Sequence, residues 1–277
     1  MSLPRVSVIT IFWRARTYLA EAIASVRRQD YPDWELILVD DGSDDGSLDI
    51  ARSAALEDPD RIRLVRHWTG RNRGMSRARN LGVSRARGEF VTFLDSDDVW
   101  LPANLSCHLA QVDAHPGVEA LCAPAEWWYS WTGHEADRGR DFVQEWRVPL
   151  DSVAAPPTLL TMVLRDEWSS LCNVLVRREL FLALGGYEPA FRGMYEDQAF
   201  HAKLCLAHPV FVASGCTYRY RQHPDSCTHR SHTSGSTGAA RVRYVAWLRR
   251  YLATAGRTGR DFAELHDSLP QTGARKR

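Results

Sequence analysis

Glu89-Phe90-Val91-Thr92-Phe93-Leu94-Asp95-Ser96-Asp97-Asp98 is a short, β-rich apolar run that breaks abruptly into carboxylates. Such a run reads as a buried parallel strand with a polar site at its C-terminal edge. Glu35-Leu36-Ile37-Leu38-Val39-Asp40-Asp41-Gly42-Ser43 repeats the pattern upstream. Open α/β sheets bind ligands at that edge. Carboxylates gathered there suit a hard divalent cation and sugar hydroxyls.

Outward from these runs, strands alternate with helices. Val6 to Ile11 reads as the first strand, Leu36 to Val39 as the second, Ile62 to Val65 as the third and Phe90 to Leu94 as the fourth. Leu19, Ala22, Ile23 and Val26 recur at helical spacing, which predicts a helix over 18–29; two more are expected over 47–56 and 76–86. This alternation predicts βαβ units and an α/β fold, a Rossmann-like, mostly parallel sheet flanked by helices. Beyond Pro102 the pattern loosens. A helix is expected over 105–114, a strand over 118–123, then an irregular, aromatic-lined segment over 127–147 with Trp127, Trp128, Tyr129, Trp131 and Trp146. Strands over 171–176, 210–213 and 217–220 and helices over 178–184 and 196–206 follow. The Ser-, Thr- and Gly-rich residues 230–240 read as a loop or linker. Residues 241–253 read as an amphipathic helix with Val245, Leu248 and Leu252 on one face, and 272–277 as a frayed end.

The 277 residues fit one large domain or two small ones, and 44% hydrophobic with 25% charged residues is ordinary for a soluble globular protein. A net charge of +1 gives no global field for nucleic acid or membrane. No run approaches a transmembrane length, and the N-terminus enters a strand without a signal-peptide pattern, so a cytoplasmic protein is expected. Cys107, Cys122, Cys172, Cys205, Cys216 and Cys227 form no CxxC pair. That argues against a zinc site and for reduced, mostly buried thiols.

Residues 40–46 are acidic enough for a calcium loop, but with Asp41 at position 1 of an EF-hand, Arg52 falls where a bidentate Glu is required. Two readings stay open there: a nucleotide pocket accepting a base N–H or a ribose hydroxyl, or a turn whose Asp45 and Ser47 cap a helix. Asp95 and Asp97, at i and i+2, project to the same side of an extended chain. They can share a metal or divide metal and ribose between them, and without a cation they repel each other; a solvated strand end is the plainer alternative. From Arg66 to Gly88 there are seven arginines and no acid. A solvated helix face or a nucleic-acid patch would account for them. With Trp68 the single aromatic there and the chain nearly neutral, a diphosphate is the more natural partner, since Arg matches it bidentately. Glu196-Asp197 reads either as acids favoured at a helix N-terminus or as a proton acceptor, and His223 as a turn residue before Pro224 or as a ligand.

Five segments in this order resemble the family 2 glycosyltransferases, the GT-A-fold group that uses nucleotide-diphosphate sugars. They are Val6 to Asp41 with the following Gly42-Ser43; Asn72-Arg73-Gly74-Met75-Ser76-Arg77-Ala78-Arg79-Asn80-Leu81-Gly82; Gly88 to Pro102; Gly186-Tyr187 with Tyr195-Glu196-Asp197; and Tyr220-Arg221-Gln222-His223-Pro224-Asp225-Ser226. The resemblance spans residues 5–228 and implies roles. Asp41, with Asp40 beside it, would bind base and ribose. Asp95 would contact ribose or assist a Mg²⁺ or Mn²⁺ ion held mainly by Asp97, the last residue of the DXD motif. Arg79 would help hold the donor, His223 would approach the metal or diphosphate, and Arg221 would neutralise the leaving group. Asp197 of the Glu196-Asp197 pair would be the general base.

The chain departs from the family where Ile11-Phe12-Trp13-Arg14 replaces the usual Pro-x-Tyr-Asn. Trp13 can still stack on a base, whereas Arg14 in place of Asn leaves the identity of the base open. No QxxRW motif or membrane-spanning run is present, which argues against the processive polysaccharide synthases. The resemblance thus implies an inverting, metal-dependent transfer from a nucleotide sugar, UDP first, to a hydroxyl of a glycan or lipid-linked acceptor, with no nucleic acid involved. A sugar-phosphate nucleotidyltransferase would want a Gly-rich phosphate loop after the first strand, and residues 10–17 hold no Gly. A non-catalytic nucleotide-sugar-binding module is the remaining alternative.

The expected organisation is a nucleotide-sugar-binding half over 1–105, an acceptor-binding and base-bearing half of the same domain over 106–229, and a linker with a helical extension over 230–277. Residues 241–277 hold nine basic and three acidic residues. Such a tail could dock the protein at the inner face of an anionic membrane; the plainer alternative is a helix packed on its own domain or on a partner subunit.

Overall fold

The computed structural model describes residues 3–164 and 173–255. In chain order its elements are β1 (Val6–Phe12), α1 (Leu19–Arg27), β2 (Trp34–Asp40), α2 (Ser47–Glu57), β3 (Ile62–Arg66), α3 (Met75–Arg85), β4 (Phe90–Phe93), β5 (Val99–Trp100), α4 (Asn104–Ala114), β6 (Ala120–Cys122), β7 (Glu126–Trp128), β8 (Phe142–Val143), β9 (Ser152–Ala154), α5 (Thr158–Leu164), β10 (Val174–Arg177), α6 (Arg178–Ala183), α7 (Glu196–Ala207), β11 (Val210–Val212), β12 (Tyr218–Arg221), α8 (Cys227–Thr233) and α9 (Thr237–Thr254).

Every residue of β1, β2 and β4 is buried. The α/β expectation holds: the large sheet runs β3-β2-β1-β4-β10-β6-β11-β9, with β3, β2, β1 and β4 parallel and β10 antiparallel to both its neighbours. Because side chains alternate along a strand, β1 feeds two cores. Val6, Val8 and Phe12 pack with Leu19, Ala22, Ile23 and Val26 of α1. Ile9 and Ile11 pack with Ala78 and Val83 of α3 and with Ala199, Phe200 and Leu204 of α7. A Cβ on Gly82 would lie 2.5 Å from the Ile9 side chain. Glycine there lets α3 rest directly on the sheet.

The segment over 127–147 is more ordered than its composition suggests. Strands β7 and β8 pair within a second sheet of order β5-β12-β7-β8, joined by short 3₁₀ turns at Ser130–Thr132 and Glu135–Asp137. Two- and three-residue strands are too short to show alternation. The expected linker over 230–240 is also mostly helical, since α8 and α9 leave only residues 234–236 between them. Packing overrides the weak helix propensity of Ser, Thr and Gly here: Ala240, Tyr244, Leu248 and Leu252 of α9 join the core that includes α7. Of the surfaces open to this apolar face, a membrane, a partner subunit or the protein's own domain, it is the protein's own domain that covers it. Of the described cysteines, Cys122 and Cys205 are buried while Cys107 and Cys227 are exposed and Cys216 is intermediate, so the thiols are not mostly buried. Cys172, part of the strand expected from 171 and the end over 272–277 lie outside the described residues.

Candidate active site

Four segments meet beyond the C-terminal ends of β1, β2 and β4. After β2 the chain turns at Gly42, whose φ is +86° and whose Cβ would sit 2.8 Å from the Asn72 nitrogen. Only a residue without a Cβ allows the 70–72 loop to lie against this turn. Asp40 and Asp41, both buried, organise it. Asp40 accepts from the Ser43 N–H at 2.8 Å and from Arg66 Nε at 2.8 Å. Asp41 accepts from the N–H groups of Arg73 at 2.7 Å and Gly74 at 2.9 Å, with His67 Nε2 3.8 Å away. Burial raises the Asp41 carboxyl above its usual range and the two N–H donors oppose that. Asp41 thus ties down the loop that enters α3, and Asp40 the turn after β2 and the end of β3.

Trp13 stands at the rim, 45% exposed. Arg14, at φ 55°, pairs with Asp44 through two 2.7 Å bonds and lies 5.0 Å over the Trp13 ring.

The Arg79 side chain leaves the inner face of α3 and joins two more segments. It donates to Asp95 Oδ1 at 2.7 Å and to Glu196 Oε1 at 2.8 Å, with its guanidinium 5.3 Å over the Tyr187 ring. Asn80 fixes Tyr187 by bonding its backbone N–H and C=O. Glu196 and Asp197 open α7 just after Tyr195, whose φ of 71° is left-handed and uncommon for a bulky residue. Burial, reinforced by the charge of Asp197, pushes the Glu196 carboxyl up to about 8 against the pull of Arg79. Asp197 is raised by burial, with Arg79 opposing.

Past β4, the turn at 95–98 is held by β12. The buried Asp98 accepts from Tyr218 OH and from the Arg221 N–H at 2.8 Å. Its carboxyl is raised well above the ordinary range by burial, then by Asp97 and Asp95. Arg221 Nε donates to the Asp97 carbonyl at 2.7 Å and its Nη2 reaches Glu21 at 2.5 Å. The same guanidinium sits 4.5–5.0 Å from the rings of Trp128, Tyr18 and Trp131. His223 Nε2 lies 3.0 Å from Asp97 Oδ2, and its ring is 4.7 Å from Tyr18.

Residues 7–138 match the family described as "Glycosyl transferase family 2". The match spans 132 of the 277 residues, just under half of the chain. The chain is 35% identical over 178 residues to TuaG of Bacillus subtilis (strain 168), a protein named for teichuronic acid biosynthesis; the match covers 64% of this chain and 63% of that one. Over 107 residues it is 38% identical to WcaA of Escherichia coli (strain K12), named for colanic acid biosynthesis, covering 39% and 37% of the two chains. It therefore spans less than two thirds of these relatives.

Among solved structures, the mannosyltransferase PcManGT of Pyrobaculum calidifontis in complex with GDP-Man and Mn²⁺ superposes at TM-score 0.62 and 19% identity, over 97% of this chain and 69% of that one. S. aureus TarS 1-349 in complex with UDP-GlcNAc superposes at 0.60 and 22%, over 80% and 60%. The fold is GT-A.

Within the family 2 fold, sequence reasoning named the carboxylates but missed their supports. Tyr18, Glu21, Asp98, Trp128, Trp131 and Tyr218 were given no role there. Asp98 had a signal as the third acid of its cluster, and Trp128 and Trp131 as members of the aromatic-lined segment. Arg79, Asp95, Glu196 and Asp197 form one group and Asp97, Arg221 and His223 another, bridged by the 95–98 turn. Among the described residues no group of three or more His, Cys, Asp and Glu side chains is gathered as a ready metal site. Asp97 and His223 do fit a metal that takes its other ligands from a substrate. Two cis ligands at about 2.1 Å from an ion lie about 3 Å apart, close to the 3.0 Å between Asp97 Oδ2 and His223 Nε2.

Proposed function

We propose that the protein transfers a sugar from a nucleotide diphosphate to an acceptor hydroxyl with inversion at the anomeric carbon. The observation that carries this is the meeting of the Asp97–His223 pair and the Arg79–Glu196–Asp197 group at one sheet edge. Asp197 takes the proton of the acceptor hydroxyl. Its raised affinity for protons, caused by burial, suits a base working near neutral pH. The freed oxygen attacks the anomeric carbon as the bond to the diphosphate breaks on the opposite face. Holding both substrates in line supplies much of the rate.

Asp97 and His223 would hold the divalent ion. An imidazole in the set favours Mn²⁺ over Mg²⁺, which takes oxygen ligands. The ion would neutralise charge building on the departing diphosphate. Arg79 is committed to two carboxylates, so it supports the donor through Asp95. Arg221, enclosed by rings and tied to the Asp97 carbonyl, positions that carboxylate more than it neutralises the leaving group. Asp40 and Asp41 place the loop against which base and ribose would lie, with Trp13 as a stacking surface.

A UDP-sugar is the donor we favour, with a GDP-sugar second, since solved neighbours carry each. The acceptor would be a growing surface glycan or its lipid-linked precursor, in keeping with the biosyntheses for which TuaG and WcaA are named. Among the described residues no helix is long and apolar enough to cross a membrane. With the Leu248–Leu252 face covered, peripheral contact at the cytoplasmic face of the membrane would use the exposed Arg243, Arg249 and Arg250 of α9.

Nucleotide release from UDP-, GDP- and dTDP-sugars, with and without Mn²⁺, tests the reading. Release from one donor that is metal-dependent, lost in Asp97→Ala and strongly reduced in Asp197→Asn is expected. Absence of both release and nucleotide binding would leave a non-catalytic module.

A further inference from the structure

Of the seven arginines between Arg66 and Gly88, three are spent on carboxylates: Arg66 on Asp40, Arg79 on Asp95 and Glu196, and Arg87 on Glu35. Arg73 and Arg77 have no acidic partner among the described residues. Both are exposed and line a cleft of about 350 Å³, together with His67, Trp68 and Pro189. No carboxylate lines it. These two cations are therefore available to an anionic ligand in the cleft.

The cleft lies on the outer side of α3. At 3.6 residues per turn, Arg77 stands about 200° around the helix from Arg79, whose side chain points inward to Asp95. Arg77, Leu81 and Ser84 follow one another along that outer face and all line the cleft. Trp68 stands at its lip, 95% exposed. A lone exposed aromatic is ordinary. Beside two unpaired guanidinium groups it supplies the other half of a recognition surface. Arg binds a carboxylate or phosphate bidentately, and the flat indole covers the apolar face of a sugar ring.

We propose that this cleft is a second binding site, for an acidic saccharide bearing carboxylate or phosphate groups, held by Arg73 and Arg77 with Trp68 stacked on a ring. The cleft has room for one or two sugar units rather than a long polymer strand. The single aromatic and the near-neutral chain disfavour nucleic acid. Read with the transferase function, on which this clause alone rests, the saccharide is a distal part of the acceptor.

Calorimetry on the full chain with tetragalacturonate, phosphomannopentaose, maltotetraose and dT8, in the presence of saturating UDP, tests the site. At least one acidic oligosaccharide is expected to bind, more weakly at high salt, with maltotetraose at least tenfold weaker. The two acidic probes tell carboxylate from phosphate preference. Arg77→Glu is expected to weaken acidic binding at least tenfold and Trp68→Ala at least threefold, both with donor hydrolysis within twofold of wild type. The proposal is overturned by failure of both acidic probes to bind, by equal binding of maltotetraose, by an unchanged affinity in Arg77→Glu, by loss of binding under UDP, or by preference for dT8. Binding that persists without any donor hydrolysis would overturn the transferase reading and leave the site standing.

Discussion

Arg79 and Glu196 lie 117 positions apart in the chain and meet at 2.8 Å, with Asp95 on the other arm of the same guanidinium. One buried cation thus joins the DXD turn to the helix that carries the candidate base. Removing it would leave the buried Glu196 and the half-buried Asp95 without their shared donor, a loss of about 1–3 kcal/mol. Arg79→Ala is expected to lower the melting temperature and to abolish donor hydrolysis. Arg79→Lys cannot span both acids and should recover stability more than turnover. Thermal melts and hydrolysis rates of the two variants check this, and equal rates in Arg79→Lys and wild type would contradict it.

Glu196 gives a pH dependence with a definite sign. Its carboxyl is raised from an ordinary 4.5 to about 8, chiefly by burial. Between those values the folded protein keeps a proton that the unfolded chain has released. Stability from this group therefore falls as pH rises from about 4.5 to about 8, and the fall ends once the folded form also ionises. Glu196→Gln has no proton to lose, so its melting temperature should gain on the wild type across that window. Parallel melting curves from pH 5 to 8.5 would refute the assignment.

Asp98, by accepting from Tyr218 OH and the Arg221 N–H, steadies the turn that carries Asp97, the proposed metal ligand. Asp98→Asn turns an amide toward donors from Tyr218 and Arg221, at a cost of about 1–3 kcal/mol. Loss of such outer support weakens metal binding about 10- to 100-fold. The Mn²⁺ concentration giving half-maximal hydrolysis should rise accordingly while Asp97 and His223 stay in place. Tyr218→Phe, losing one bond, should show the smaller effect.

At Gly42 a methyl group meets both a positive φ and the Asn72 backbone. Gly42→Ala is expected to cost about 1–3 kcal/mol and, by shifting the loop, to raise the donor KM more than it lowers kcat. Steady-state kinetics on the stable fraction separate the two.

The large sheet was legible because β1, β2 and β4 lie in apolar runs, the last two of which break into acid. The meeting of Asp97 with His223, 126 positions apart, was legible only through the family resemblance, since each has an ordinary local explanation. Strands β5 and β8 of two residues carry no periodicity. The arginine-rich stretch announced its sign but not its partners. Three of its guanidinium groups turned to Asp40, Glu35 and the Asp95–Glu196 pair, and helix facing decided which stayed in solvent. Residues 230–240 read as a linker because turn composition is only a weak prior, and the packing of α9 on the core that includes α7 outweighs it.

Tyr195, the left-handed residue just before Glu196, stacks on Tyr244 of α9 with ring centres 5.0 Å apart and planes 12° from parallel. The last described helix is thus a clasp over an unfavourable backbone angle. Whatever lifts α9 by one aromatic layer frees that turn to relax toward an ordinary conformation, and the carboxylates at the start of α7 swing with it.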